Sequence, residues 1–270
     1  MTFSISGKTA IVTGAANGVG LAIGRHFAEQ GANVVFADMD EARLIAEVGE
    51  EAAREDSNIR YFAGDLREKL TIANLLSTTI DAFDRVDILV NSSRQMRVSD
   101  PLNPDDDAVE ALLRQNLMTS LRMTQVVAKR MIAQAEADGG AEGPIGSIIN
   151  LSSIAARRTH ANLLAYSVSS AALDQMTRSM AVALAPQKVR VNGVAFGSVM
   201  SASLQGALLE NEDYRDTIIE STPLARIASP SEVAEAAQFL ASDGAGFMTG
   251  QILTIDGGRT LLDAVDTPAH

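Results

Sequence analysis

Two stretches of this chain combine residue types and spacings suited to chemistry. The first, Thr13-Gly14-Ala15-Ala16-Asn17-Gly18-Val19-Gly20, holds three glycines in eight residues. Glycine permits a tight turn and lets backbone N–H groups approach a pyrophosphate, which a following helix N-terminus stabilises. Three glycines also suit a plain structural turn, so their surroundings decide. An apolar run from Lys8 to Thr13 precedes the turn, and a helically spaced segment with Val19, Ile23 and Phe27 follows it. A second apolar run then ends at Asp38. Strand, turn, helix and strand in this order are what a dinucleotide site requires. A carboxylate at Asp38 can accept hydrogen bonds from both ribose hydroxyls and repels a 2′-phosphate. With no Arg or Lys in the glycine-rich loop, this points to NAD(H) rather than NADP(H). The alternative for Asp38 is a solvated aspartate at a strand end. The second stretch, Asn150 to Ala172, runs from an apolar strand through a basic loop into a helix. It places Ser153 thirteen positions before Tyr166, and Ser170 four beyond it. Four residues apart on a helix, Tyr166 and Ser170 share a face.

The elements that must position these residues read as alternating strands and helices. Further apolar runs, Asn33 to Asp38, Asn58 to Asp65, Val86 to Asn91, Ile145 to Ser152, Lys188 to Ala195 and Gln251 to Asp256, bring the strands to about seven. Helical patterns cover 18–30, 41–55, 70–83, a long segment from Pro104 to about Ala137, and 232–242. Pro104 suits a first helical turn, and Asp105, Asp106 and Asp107 suit a helix N-terminus. Ser229-Pro230-Ser231-Glu232 has the form of a capping box. Strands apolar on both faces imply a Rossmann-like doubly wound parallel sheet with helices on both faces. Without a linker-like composition shift, residues 1–270 read as one domain, and the irregular 196–228 segment reads as a lid.

Composition narrows the function classes. A net charge of −12 argues against a nucleic-acid or anionic-membrane partner. No apolar run is long enough to span a bilayer, and no signal-like start is present, which suits a cytoplasmic protein. Zero Cys excludes disulfides, and three scattered His make a structural zinc site a poor expectation; no metal is expected.

The spacing TGxxxGxG from Thr13 to Gly20, with Ser153 and Tyr166, resembles the short-chain dehydrogenases/reductases, and the resemblance covers nearly the whole chain. It implies hydride transfer between NAD(H) and a small alcohol or ketone substrate. Gly14, Asn17, Gly18, Val19, Gly20 and Asp38 would hold the dinucleotide, with Asp65 and Leu66 at the adenine and Asn91 ending the fourth strand. Gly197, Val199 and Ser201 would contact the nicotinamide end, as would Tyr166. Ser153 would bond the substrate oxygen, Tyr166 would transfer the proton, and Asn116 would hold a relay water. Thr249 to Gly258 matches the family's C-terminal strand, which often lies at a subunit interface. The implied assembly is a homotetramer or dimer, with a hetero-oligomer also open.

Three positions depart from the family pattern. Ser170 stands where the family has a Lys, and a Ser can at best hold the ribose because it brings no charge. Arg94 stands where the family has a small residue. Its ordinary reading is a surface side chain in solvent; the sharper one is that it turns inward and restores the missing charge. Phe196 replaces a usual Pro. Arg157 and Arg158 read either as a solvated loop or as a site for an acidic substrate, and His160 as surface. Met96, Met118, Met200 and Phe247 either border a pocket or simply pack. A rival reading follows from the missing Lys: a catalytically silent NAD-binding subunit, paired with an active relative. Non-redox chemistry at Tyr166 is a third.

Overall fold

The computed structural model describes residues 2–140, 142–211, 213–263 and 265, with Ala202 and Ser203 as backbone only. The apolar runs form β1 (Thr9–Thr13), β2 (Asn33–Asp38), β3 (Ile59–Ala63), β4 (Ile88–Asn91), β5 (Gly146–Ser153), β6 (Val189–Phe196) and β7 (Ile252–Ile255). They make one parallel sheet in the order β3-β2-β1-β4-β5-β6-β7. The order reverses direction between β1 and β4, and ligands of open α/β sheets bind at the carboxyl ends of strands flanking such a switch.

Alternation along each strand sends successive side chains to opposite faces. Ala10, Val12, Val34, Phe36, Ile88 and Val90 join one core with Ile23 and Phe27 of α1 (Gly18–Glu29) and Leu44 of α2 (Glu41–Ala52). Ile11, Val35 and Leu89 join the other, with Leu75 of α3 (Lys69–Phe83). This is why the strands read as apolar throughout.

The long helix differs from its expected form. It starts as α4 (Ala108–Leu112), passes through a π-helical turn (Leu113–Met118) and continues as α5 (Thr119–Ala137). Pro104 to Asp107 lie before it in turns. Asp106 accepts hydrogen bonds from the backbone N of Asp100 at 2.7 Å and of Ala108 at 2.8 Å. Asn103 caps the N of Asp105 at 3.0 Å. These short side chains satisfy backbone donors locally, so the chain turns where a dipole argument alone extends the helix.

The basic loop after β5 leads into α6 (Leu164–Leu184), which carries Tyr166 in its first turn. The 196–228 segment is not structureless: it holds α7 (Ala202–Glu210) and α8 (Tyr214–Glu220). Its ends are tied by Met200 N to Ala228 O at 2.9 Å and Ala228 N to Ser198 O at 2.8 Å. The capping box at Ser229 and Glu232 opens α9 (Pro230–Ala241).

Candidate active site

Gly14, Asn17, Gly18, Val19, Gly20 and Asp38 line one groove of about 200 Å³ at the β1–α1 turn. Two glycines there are obligatory. Gly14 has φ +64, and a Cβ on it would lie 2.7 Å from the Ser92 carbonyl oxygen. A Cβ on Gly20 would lie 2.1 Å from the Gly14 oxygen. A cradle that a single methyl group would fill fits the close approach of a pyrophosphate. Asp38 sits at its rim, its carboxylate accepting from Ala16 N and Asp40 N, both at 3.1 Å.

Other expected cofactor residues lie off this groove. Gly64 N donates to Asp38 O at 2.8 Å, which sets Asp65 and Leu66 beside the groove's outer end. The Asp65 side chain is taken up by Arg67, with contacts of 2.6 to 3.0 Å, and that guanidinium holds its carboxyl below the usual range. Leu66 is buried. The Asn91 amide turns into the core, donating to Asn150 Oδ1 at 2.8 Å and Thr124 Oγ1 at 3.2 Å. A cofactor contact there is left to its backbone.

Ser153 and Tyr166 line a second cavity of about 670 Å³. Ser153 ends β5, and its Oγ accepts from Ala155 N at 3.1 Å. Gly197, Val199 and Ser201 line the same cavity. Ser201 also borders the groove, so the two spaces meet there and at Arg94. Ser201 Oγ caps α7 through Leu204 N at 3.3 Å. Ser198 holds a left-handed φ of +59, a region costly for a residue with a side chain.

Arg94 is turned inward, not out into solvent. Its Nη1 donates to Tyr166 Oη, and to Ser152 O at 3.3 Å. Its guanidinium carbon lies 4.2 Å from the Phe196 ring centroid, a cation–π stacking distance. The backbone beneath it is fixed on both sides. Thr13 Oγ1 accepts from Ser92 N at 3.0 Å and Ser93 N at 3.1 Å. Beyond it, Asn116 Oδ1 accepts from Gln95 N at 2.8 Å, and Asn116 Nδ2 donates to Gln95 O at 2.9 Å. Asn116 lies in the π-helical turn, which aims its amide at this loop. Ser170 is buried, its carbonyl oxygen 3.5 Å from Ser152 Oγ, and it lines neither space.

Of the four candidate pocket residues, Met96 lines the cavity, Met118 and Met200 do not, and Phe247 stands fully exposed. His160, read as surface, is exposed and also lines the cavity. The sequence reading missed Gln95, Ser198 and Arg259 as cavity residues and Gln115 in the groove. Arg259 directly follows the Gly257-Gly258 pair, a turn signal that could have marked it. Among the described residues no helix is long and apolar enough to cross a membrane, and no group of His and acidic residues is placed to hold a metal.

A glycine cradle at a switch point, opening onto a cavity with a phenol and a serine, defines a dinucleotide-dependent oxidoreductase. Comparison with known proteins gives that class its family. The model described as enoyl-(acyl carrier protein) reductase matches residues 14–260. The cis-4-hydroxycyclohexanecarboxylate dehydrogenase of Sinomonas cyclohexanicum is 34% identical over 258 residues, 94% of this chain and 96% of that protein. A 7α-hydroxysteroid dehydrogenase, solved with NADH and 7-oxo glycochenodeoxycholic acid, superposes with a TM-score of 0.85 at 29% identity, covering 95% of this chain and 96% of that one. A gluconate 5-dehydrogenase from Burkholderia cenocepacia, solved with NADP and tartrate, gives 0.85 at 29%, covering 97% and 98%. The chain belongs to the short-chain dehydrogenase/reductase family. It is an oxidoreductase for hydride transfer between a nicotinamide cofactor and a small-molecule alcohol or carbonyl.

Proposed function

We propose that this protein is an NAD(H)-dependent alcohol/ketone oxidoreductase in which Arg94, not a lysine, supplies the cation beside the catalytic tyrosine. The single observation behind this is the Arg94 guanidinium on Tyr166 Oη, braced by Phe196. The three departures noted in the sequence then act as one unit. Ser170 carries no charge, Arg94 restores one from a neighbouring loop, and Phe196 gives it a stacking surface. The rival reading, a silent binding subunit, leaves that arrangement without a purpose.

The nicotinamide, when bound, supplies the hydride chemistry. Gly14 to Gly20 would hold the pyrophosphate, and Asp38 would accept from the ribose hydroxyls and disfavour a 2′-phosphate. Asp65 and Leu66 would border the adenine, and Gly197, Val199 and Ser201 the nicotinamide end. Ser153 Oγ hydrogen-bonds the substrate oxygen, and Tyr166 Oη exchanges the proton with it. The Arg94 guanidinium stabilises negative charge developing on the phenol oxygen, the kind of preorganised electrostatic help that enzymes rely on most. Asn116 positions Arg94 by clamping Gln95, and the relay water expected there would bind behind that clamp. The 196–228 segment acts as the lid of a single domain, excluding water as it closes. We take the protein to be cytoplasmic and a homotetramer or dimer.

The test is NADH titration followed by turnover on a panel of ketones. We expect saturable NADH binding in wild type and Tyr166→Phe alike, with turnover falling by about 10²–10⁴-fold in the variant. Turnover that survives Tyr166→Phe refutes the assignment.

A further inference from the structure

Two further cations line the same cavity, apart from the one on Tyr166. Arg158 comes from the loop after β5, and Arg259 from the turn after β7. Arg158 Nη2 donates to the carbonyl oxygen of Thr260, the residue next to Arg259. Arg259 Nη1 donates to Ser198 Oγ at 3.1 Å. The Arg158 side chain, from a distant part of the chain, thus reaches the short turn that carries Arg259, and both arginines line the one cavity. That turn is fixed by Asp256, whose carboxylate accepts from Thr260 N at 2.7 Å and Gly258 N at 2.9 Å.

Neither arginine forms an ion pair with a carboxylate among the described residues; the pairs that do form lie elsewhere. This runs against the composition, since the chain has 34 acidic residues to 22 basic ones. Among the described residues Asp263 is the one carboxylate lining the cavity. Each guanidinium has five N–H donors and among the described residues spends one, in both cases on a neutral oxygen. The Asp256 carboxylate near Arg259 is engaged by backbone N–H groups, so both guanidiniums keep donors for an anion in the cavity, and the planar guanidinium fork matches a carboxylate best. The walls near them are aliphatic: Ile154, Leu163, Leu204 and Ile218. A cavity of about 670 Å³ suits a small molecule with an apolar body.

We propose that Arg158 and Arg259 form a carboxylate-recognition site, so that the substrate is a hydroxy or oxo acid with an apolar body. The acid group lies at the Arg158–Arg259 end and the reacting carbon at Ser153 and Tyr166. This rests on the oxidoreductase reading of the cavity, but its test does not need turnover.

The protein, with and without NADH, is titrated calorimetrically with unreactive apolar carboxylates, from cyclohexanecarboxylate to decanoate, and with the matching carboxamides. The expected result is that at least one acid binds about ten-fold or more tightly than its amide. Arg158→Gln and Arg259→Gln each reduce that preference by about ten-fold, and Arg158→Lys retains part of it. Arg158 is exposed, so its variants test the site without threatening the fold; melting curves verify this for both positions. Absence of acid binding, equal binding of acid and amide, or an undiminished preference in both Gln variants overturns the proposal. Turnover that survives Tyr166→Phe would instead refute Tyr166 as the proton-transfer residue of this cavity and leave the binding result standing.

Discussion

The glycine-lined groove and the Ser153–Tyr166 cavity are built in opposite ways. The groove is made of backbone: at Gly14 and Gly20 any side chain collides with main-chain atoms, and the one side chain that matters, Asp38, is held by two backbone N–H groups. The cavity is made of side chains from separate segments. Ser153 comes from the end of β5, Tyr166 from α6, Arg94 from the loop after β4, Phe196 from β6 and Arg259 from the turn after β7. Of the three positions singled out in the sequence, Arg94 and Phe196 line the cavity, Arg94 borders the groove as well, and Ser170 lines neither. A backbone site tolerates almost no substitution, because the main chain cannot move aside. A side-chain site lets one segment replace a charge lost from another, provided both reach the same atom.

Substitutions on each side can break or sharpen this contrast. The largest effect is expected at the groove. Gly20→Val forces a side chain against the Gly14 oxygen, so NADH binding measured by fluorescence is lost, and stability falls by about 1–3 kcal/mol or more in denaturant melts. Retained binding would mean the cradle is softer than its geometry. On the cavity side, Arg94→Ala removes one preorganised donor, so kcat drops roughly 10²-fold while NADH affinity changes less, and Arg94→Lys recovers part of the loss. An Arg94→Ala enzyme with wild-type kcat would show that the charge is idle. Third, Asp38→Asn removes the repulsion of a 2′-phosphate. The ratio of kcat/KM for NADH over NADPH should fall about ten-fold, and an unchanged ratio moves cofactor choice elsewhere.

The smallest effect concerns stability. Burial pushes the Asp174 carboxyl of α6 above the ordinary carboxylate range, and its Oδ1 has no hydrogen-bond partner among the described residues. A folded-state pKa above the unfolded one means that the ionised group destabilises the fold at neutral pH. That cost disappears as pH falls below the unfolded value. Asp174→Asn should therefore raise Tm by a few degrees near neutrality, with the gap closing in acid. A pH-independent gap in calorimetric scans would assign the gain to packing instead.

How much could be read without coordinates follows the same division. The strands, the glycine-rich turn and the strand-end Asp38 were legible because each depends on local sequence: apolar period, glycine spacing and a strand end. The 196–228 lid was legible as an interruption but not as α7 and α8, whose apolar residues show no clear period. The start of the long helix was misplaced because Asn103 and Asp106 cap a turn of their own. The π-helical turn that aims Asn116 had no sequence signal, since one extra residue in a turn leaves the pattern almost unchanged.

By itself, the sequence determined the doubly wound sheet, the dinucleotide cradle and a Ser153–Tyr166 pair without its expected lysine. These follow from residues near one another in the chain. Only the tertiary structure decided which way Arg94 turns. Arg94 and Tyr166 lie 72 positions apart, and whether Arg94 faces solvent or the phenol depends on Thr13, Asn116 and Phe196 holding its loop and ring face in place. That Arg158 and Arg259, 101 positions apart, line one cavity was equally out of reach. Long-range side-chain encounters are set by how the elements pack, and no local pattern records them.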